Sequence, residues 1–207
     1  MLHYMCRETE LFLLSKNSYY AVVFFSRVCY NAVMPTIKER IAMTILVLSD
    51  SHSALSFMRS CVDAVRPDAI VHLGDYYEDG TVLAEEYPHI PLYQVPGNCD
   101  RYRCGSEQPE VLVTKVLGVP LYMTHGHLHN VKFDTGRLIR SAQAQHVRAA
   151  LYGHTHSPEC YREDDGMWVM NPGSCGAYGG TAGIIRVQDG KILGCHIVRQ
   201  HDLEEMK

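Results

Sequence analysis

Thr44-Ile45-Leu46-Val47-Leu48-Ser49-Asp50-Ser51-His52 is the stretch from which the fold can be read. Its first five residues are apolar or β-branched without a break, the pattern of a strand buried on both faces of a sheet. The run stops abruptly at Asp50 and His52. On an extended chain, residues i and i+2 project to the same side. A carboxylate and an imidazole would then leave the end of a buried strand aimed at one spot, which is half of a metal site. A polar cap where a strand meets a loop would carry the same residues. The pair alone divides evenly between the two readings.

Downstream of this strand the pattern alternates between strand and helix. Apolar positions 54, 55, 57, 58, 61, 62 and 65 make a helical stripe that Pro67 ends. Residues 69–73 read as a second buried strand and are followed by Gly74-Asp75. A short helix is expected over 81–86, stopped near Pro88. Residues 92–95 make a third strand before Pro96-Gly97-Asn98-Cys99-Asp100. The second half is richer in β structure. Strands 111–116 and 120–124 flank Gly118 as a hairpin and run into His125-Gly126-His127. Residues 135–145 read as a helix, and 149–152 as a strand ending in Gly153-His154-Thr155-His156. Strands 159–163 and 168–170 surround Asp164-Asp165-Gly166, and Asn171-Pro172-Gly173-Ser174 is a turn. Strands 182–187 and 191–198 close the chain as a hairpin.

The 207 residues suit one domain with an appendage, and 46% hydrophobic with 20% charged residues is ordinary for a soluble globular protein. A net charge of −4 without a basic tract argues against nucleic acid as the main partner. Eight cysteines include no CxxC pair, which fits reduced thiols and a cytoplasmic location. Seven of the twelve histidines cluster along the sequence as His125, His127, His129, His146, His154 and His156, with His52 upstream, and such clustering favours a transition metal.

Residues 1–42 differ in character. The apolar stretch 11–25 is interrupted by Lys16 and Asn17, too short and broken for a membrane span and poor as a signal peptide. Met43 directly precedes the buried strand. The expectation is an atypical extension over 1–42, with the natural start at Met43 and one domain over 43–207. A targeting or docking appendage is the alternative, and a native peptide from residues 8–16 would support it.

The polar groups Asp50, His52, Asp75, Asn98, His125, His154 and His156 each follow a hydrophobic strand, usually beside a glycine. In open α/β sheets functional groups gather outside the carboxyl ends of strands. Hard oxygen and borderline nitrogen donors suit Mn²⁺, Fe²⁺, Co²⁺, Ni²⁺ or Zn²⁺, and seven donors are too many for one such ion. They suit two ions sharing a bridging carboxylate.

Asp50-x-His52, Gly74-Asp75, Gly97-Asn98-Cys99-Asp100, His125-Gly126-His127 and Gly153-His154-Thr155-His156 resemble the ordered motif set of the calcineurin-like metallophosphoesterases. The short chain and the GNCD variant are most similar to small bacterial and archaeal phosphodiesterases. The match runs from Met43 to about Val198. The resemblance implies an α/β fold (α+β in some schemes), a double β-sandwich flanked by helices in four layers, αββα. It implies two divalent transition-metal ions, Mn²⁺ foremost, and hydrolysis of a small phosphoester by a metal-bridging hydroxide, with diesters ahead of monoesters. Asp50, His52 and His156 would bind the first ion, Asn98, His125 and His154 the second, and Asp75 would bridge. His127 would face the substrate. Similar small proteins often form homo-oligomers. No membrane partner is expected.

The chain departs from most of the superfamily at Cys99, where a histidine usually protonates the leaving oxygen. A thiol is a weak donor, so good leaving groups or diesters are expected as substrates. Asp100 would orient a ligand or Cys99 through hydrogen bonds. His72, His89 and His146 are expected to be structural or on the surface. Cys99 and Cys104 are read as unpaired thiols, Cys175 as packing, and Arg101 and Arg103 as loop charges. Two rival functions stand beside the hydrolase. One is a non-catalytic metal-binding scaffold, as in the similar retromer subunit, although no ligand position is altered here. The other is a nuclease, which the short chain and acidic charge disfavour.

Overall fold

The structure is a computed structural model and describes residues 13–16, 19–22, 42–101, 104, 107–177 and 179–206. Contacts divide the chain into two units, 1–40 and 41–207. In the first, strands β1 (Leu13–Lys16) and β2 (Tyr19–Val22) pair antiparallel, Leu13 opposite Val22. The remaining readings of residues 1–41 fall outside the described residues. Among the described residues no helix is long and apolar enough to cross a membrane.

The second unit is built on two five-stranded sheets. One contains β3 (Met43–Leu48), β4 (Ala69–His72), β5 (Leu92–Gln94), β11 (Thr181–Gln188) and β12 (Lys191–Arg199), in the order β12-β11-β3-β4-β5. Here β3, β4 and β5 are parallel, while β11 returns antiparallel against β3. The other contains β6 (Val111–Val116), β7 (Val119–Thr124), β8 (Ala149–Leu151), β9 (Glu159–Arg162) and β10 (Trp168–Asn171), in the order β6-β7-β8-β10-β9.

Strand alternation assigns the layers. Ile45 and Val47 enter one core with Val71, Val119, Leu121, Met123, Leu151, Met170 and Ile185, so residues of both sheets share it. Their neighbours Leu46 and Leu48 point the other way, into a core with Phe57, Met58, Cys61 and Val62 of helix α1 (Leu55–Val65). Helices α2 (Tyr77–Glu86) and α4 (Gln200–Glu205) add Leu83 and Leu203 to that outer core. On the far side Tyr122, Ala150 and Val169 pack against Leu138 and Ala142 of α3 (Gly136–Ala144). The result is a helix–sheet–sheet–helix sandwich, as expected. The period-2 alternation is what lets a continuous apolar run such as residues 45–48 serve two cores at once.

Two elements differ from the sequence reading. Helix α2 starts at Tyr77, ahead of the expected 81, because its cap is supplied from elsewhere. The backbone N–H groups of Tyr76 and Tyr77 donate to Asp100 Oδ1 at 2.8 and 2.9 Å. A carboxylate at a helix N-terminus satisfies orphan donors and complements the dipole. Helix α4 has no counterpart in the sequence reading. Its start is capped by Asp202, whose Oδ2 accepts the Arg199 N–H at 2.7 Å, and it is anchored by buried Leu203.

Candidate metal centre

The expected ligands gather at the carboxyl ends of the strands, but not by the extended geometry the sequence suggested. Strand β3 ends at Leu48, and Asp50 and His52 lie beyond it in left-handed turns with φ of 50° and 44°. Asp75 (56°), His154 (69°) and His156 (59°) share that conformation. Asp50 and His52 are therefore neighbours as their i/i+2 spacing suggested, but a turn rather than a strand brings them together. Left-handed backbone costs a non-glycine residue roughly 1–2 kcal/mol. Such strain persists only where the surroundings over-determine it, and it concentrates at functional sites.

Hydrogen bonds supply that over-determination. Asp50 N–H donates to Gly74 O at 2.9 Å and Ser51 N–H to Asp75 O at 3.2 Å, joining the two ligand turns. The glycines permit this approach. A Cβ on Gly97 would overlap the backbone nitrogen and Oδ1 of Asp75, and one on Gly153 would overlap the Ser49 hydroxyl.

Two groups of donor atoms result. In the first, His156 Nε2 lies 3.1 Å from Asp50 Oδ1 and 3.4 Å from His52 Nε2, while His52 Nε2 lies 3.9 Å from Asp75 Oδ2. One ligand atom from each of Asp50, His52, Asp75 and His156 falls within 4.8 Å of the others, a group that can hold a metal ion. In the second, His125 Nε2 lies 3.1 Å from Asn98 Oδ1 and 3.2 Å from His154 Nδ1. Asp75 stands between them, with Oδ1 3.5 Å from His125 Nε2. Asp50 and His125 are fully buried, whereas the His156 side chain is 43% exposed, so the centre opens to solvent on one side.

The electrostatics suit cation binding. Asp50 Oδ1 is buried without a hydrogen-bond donor. A buried carboxylate oxygen left this way is costly unless charge compensates it. Two imidazole nitrogens converge on the same point, and oxygen with imidazole suits divalent transition metals. The residues therefore fit such ions. Burial alone would raise the Asp75 carboxyl, but His125, the Cys99 N–H and His52 hold it below the usual range. Burial, with His125 and Lys132 nearby, brings His154 down to about 4. Its ring is neutral at pH 7, as a ligand must be.

The other expected site residues surround this centre. Cys99 is exposed, its N–H donates to Asp75 Oδ1 at 2.9 Å, and Asn98 Nδ2 donates to its sulfur at 3.4 Å. Partial desolvation, then its hydrogen bond to Asp75, pushes the thiol up to about 11. The ring of His127 lies 5.5 Å from that of His125 and 6.0 Å from that of His154. Its Nδ1 is buried without a partner. Asp100 is fully buried. Besides capping α2, its Oδ2 accepts the Gly97 N–H at 2.8 Å, so it braces the turn that presents Asn98. His72 is buried and His89 and His146 are exposed, in line with their bland reading. His129 is buried against the Tyr122 hydroxyl at 3.0 Å, and Cys104 is unpaired.

Several supporting residues carry no signal in the sequence reading. Ser49 Oγ donates to Asp50 Oδ2 at 2.6 Å, and Ser174 Oγ to Asp50 O at 2.8 Å. Asn171 Nδ2 donates to Gly153 O at 3.1 Å and Thr155 Oγ1 at 2.9 Å, fixing the turn between His154 and His156. Tyr76 meets the His52 ring edge-on at 5.2 Å. The Asn171-Pro172-Gly173-Ser174 segment, which begins at the last residue of β10, is the one hint of this support, and by its residues it reads as a turn.

Residues 43–190 match the calcineurin-like phosphoesterase superfamily domain. The chain is 30% identical over 141 residues to the probable metallophosphoesterase YsnB of Bacillus subtilis (strain 168), covering 64% of this chain and 75% of that protein. A conserved uncharacterized protein of Streptococcus pneumoniae TIGR4, described as a predicted phosphoesterase, shares 27% identity. It aligns with a TM-score of 0.63 over 78% of this chain and 91% of that one. Vacuolar Protein Sorting 29 from Cryptosporidium parvum shares the fold, with a TM-score of 0.59 at 16% identity over 76% of this chain and 97% of that one.

Proposed function

We propose that this chain, which belongs to the calcineurin-like phosphoesterase superfamily, hydrolyses phosphoesters at a centre for two divalent metal ions within residues 43–207, diesters ahead of monoesters. The observation that carries the reading is the position of Asp75. One of its oxygens faces His52 and the other faces His125, so a single carboxylate belongs to both donor groups. In this reading Asp50, His52 and His156 hold one ion, Asn98, His125 and His154 the other, and Asp75 is shared. Mn²⁺ is the first candidate, with Ni²⁺, Fe²⁺, Co²⁺ and Zn²⁺ as alternatives. Bound ions of this kind make a water acidic enough to attack phosphorus at neutral pH and polarise the phosphoryl oxygens.

The chain's own groups complete the chemistry. The depressed Asp75 carboxyl stays ionised and the neutral His154 keeps a lone pair free. Cys99 is exposed beside Asp75 and stays protonated at neutral pH, so its S–H can donate to a leaving oxygen. An S–H is a weak donor, which favours leaving groups that need little help. His127, whose ring lies beside those of His125 and His154, is the residue proposed to face the substrate.

The test is hydrolysis of bis-p-nitrophenyl phosphate and p-nitrophenyl phosphate with added Mn²⁺ or EDTA, in wild type and Asp75→Asn. The reading expects Mn²⁺-dependent turnover, faster on the diester, and at least a ~100-fold loss in the variant, since both donor groups lose a charge. Metal uptake without turnover of any phosphoester would favour the scaffold instead. Single- and double-stranded DNA as substrates address the nuclease.

A further inference from the structure

We propose that Asp79 is a positioning residue of the metal centre: from the first turn of α2 it holds the left-handed turn that presents Asp50 and His52. The proposal rests on the metal-centre reading above and adds a residue that lies outside its ligand set.

Asp79 is buried, at 7% exposure, although it is charged and sits on a helix. Acidic side chains avoid such positions unless hydrogen bonds replace their water. Two hydrogen bonds from the ligand turn end on its Oδ2. Ser51 Oγ donates at 2.7 Å and the Ser53 backbone N–H at 2.8 Å. Ser51 lies between the two ligands, and Ser53 follows the second. The turn contains three left-handed non-glycine residues, Asp50, His52 and Ser53, the last with φ of 71°. Local sequence opposes this conformation, so it must be held from outside.

Ser51 Oγ has one proton, and a carboxylate at 2.7 Å is a stronger acceptor than the Asp75 carbonyl at 3.1 Å. His72 Nε2, 3.2 Å from Ser51 Oγ, can then donate to the hydroxyl and keep its proton turned toward Asp79. Helix α2 is itself fastened by Asp100 through the N–H groups of Tyr76 and Tyr77. The motif that presents Asn98 to one donor group therefore anchors the helix that holds the turn of the other.

Because both bonds reach one oxygen, an amide oxygen can accept both, and asparagine should substitute for aspartate. A role through net charge alone would not allow this. The experiment titrates the metal-free full-length chain with Co²⁺, following its visible absorption and the affinity of each equivalent, with thermal unfolding of the metal-free protein as the control. Asp79→Ala should weaken one Co²⁺ equivalent by about 10–100-fold and alter its spectrum, leaving the other near wild type. Asp79→Asn should stay within ~3-fold of wild type. Should Asp79→Ala fail to fold, Ser51→Ala decides, since it deletes one of the bonds with little change in volume; it should weaken the same equivalent by roughly 3–10-fold. Wild-type affinity and spectrum in Asp79→Ala, or in Ser51→Ala where that variant decides, overturn the proposal. So does an Asn variant as impaired as Ala. Absence of Co²⁺ uptake by the wild type would instead overturn the metal-centre reading, and the proposal with it.

Discussion

His125 Nδ1 donates a hydrogen bond to the carbonyl oxygen of Leu73 at 2.8 Å. His125 follows β7 in one sheet and Leu73 follows β4 in the other, so the bond joins the sheets at their functional ends. It also fixes the tautomer. With the proton on Nδ1, the Nε2 lone pair faces Asn98 and His154. In the metal-free protein, ¹⁵N chemical shifts of His125 should report Nδ1–H at neutral pH. His125→Ala should lose one metal equivalent and at least ~100-fold in metal-dependent kcat/KM. An Nε2–H tautomer would contradict this orientation.

Glycine substitutions should separate close approach from mere backbone freedom. Gly97→Ala forces a Cβ into Asp75 and should cost roughly 1–3 kcal/mol or more of stability, together with metal affinity. Gly194→Ala in β12 meets nothing within 4 Å and should change stability by no more than ~1 kcal/mol, with any change favourable. Urea denaturation of the two metal-free variants checks this. Equal losses would mean that Gly97 acts only through flexibility.

Acid should destabilise the metal-free protein through His72. Burial lowers this imidazole from 6.5 to about 4, with the carboxylates of Asp100, Asp79 and Asp50 only partly opposing the shift. Between those pH values the unfolded chain binds the proton and the folded chain does not. Stability thus rises with pH across the window, complete above about 6.5 and lost as pH falls towards about 4. The full effect is of order 3 kcal/mol. Denaturation at several pH values should show a shallower slope in His72→Gln than in wild type. Parallel slopes would locate the acid sensitivity elsewhere.

Cys99 should alkylate slowly despite its exposure. A thiol at about 11 is on the order of 0.1% ionised at pH 8, roughly two orders below an ordinary cysteine. Iodoacetamide labelling of metal-free protein, resolved by peptide mass spectrometry, measures the rate. Asp75→Asn removes the carboxylate that accepts the thiol proton and should accelerate it. In turnover, Cys99→His should raise activity on substrates with poor leaving groups. No rise would remove Cys99 from proton donation.

The strands and the polar residues at their ends were legible because both follow from side-chain type along the chain, whereas the layered arrangement was implied only by the resemblance of the motifs. The run 44–48 marks a doubly buried strand, and each polar pair after an apolar run marks a strand end. Backbone conformation was not legible. Nothing in Asp50-Ser51-His52 announces left-handed turns, since those are held by hydrogen bonds that the turn donates to Gly74, Asp75 and Asp79. Long-range caps were hidden for the same reason. Asp100 sets the start of α2 from a separate motif, and Asp79, ahead of the helix expected over 81–86, shows its place only through its burial in the fold.

The most direct test of the central claim is the Mn²⁺ stoichiometry of the full-length chain, measured by equilibrium dialysis in wild type and Asp75→Asn. A carboxylate shared between two donor groups predicts two ions per wild-type chain and weakened binding of both in the variant. One ion or none in the wild type, or two ions held with unchanged affinity by Asp75→Asn, would contradict a shared centre.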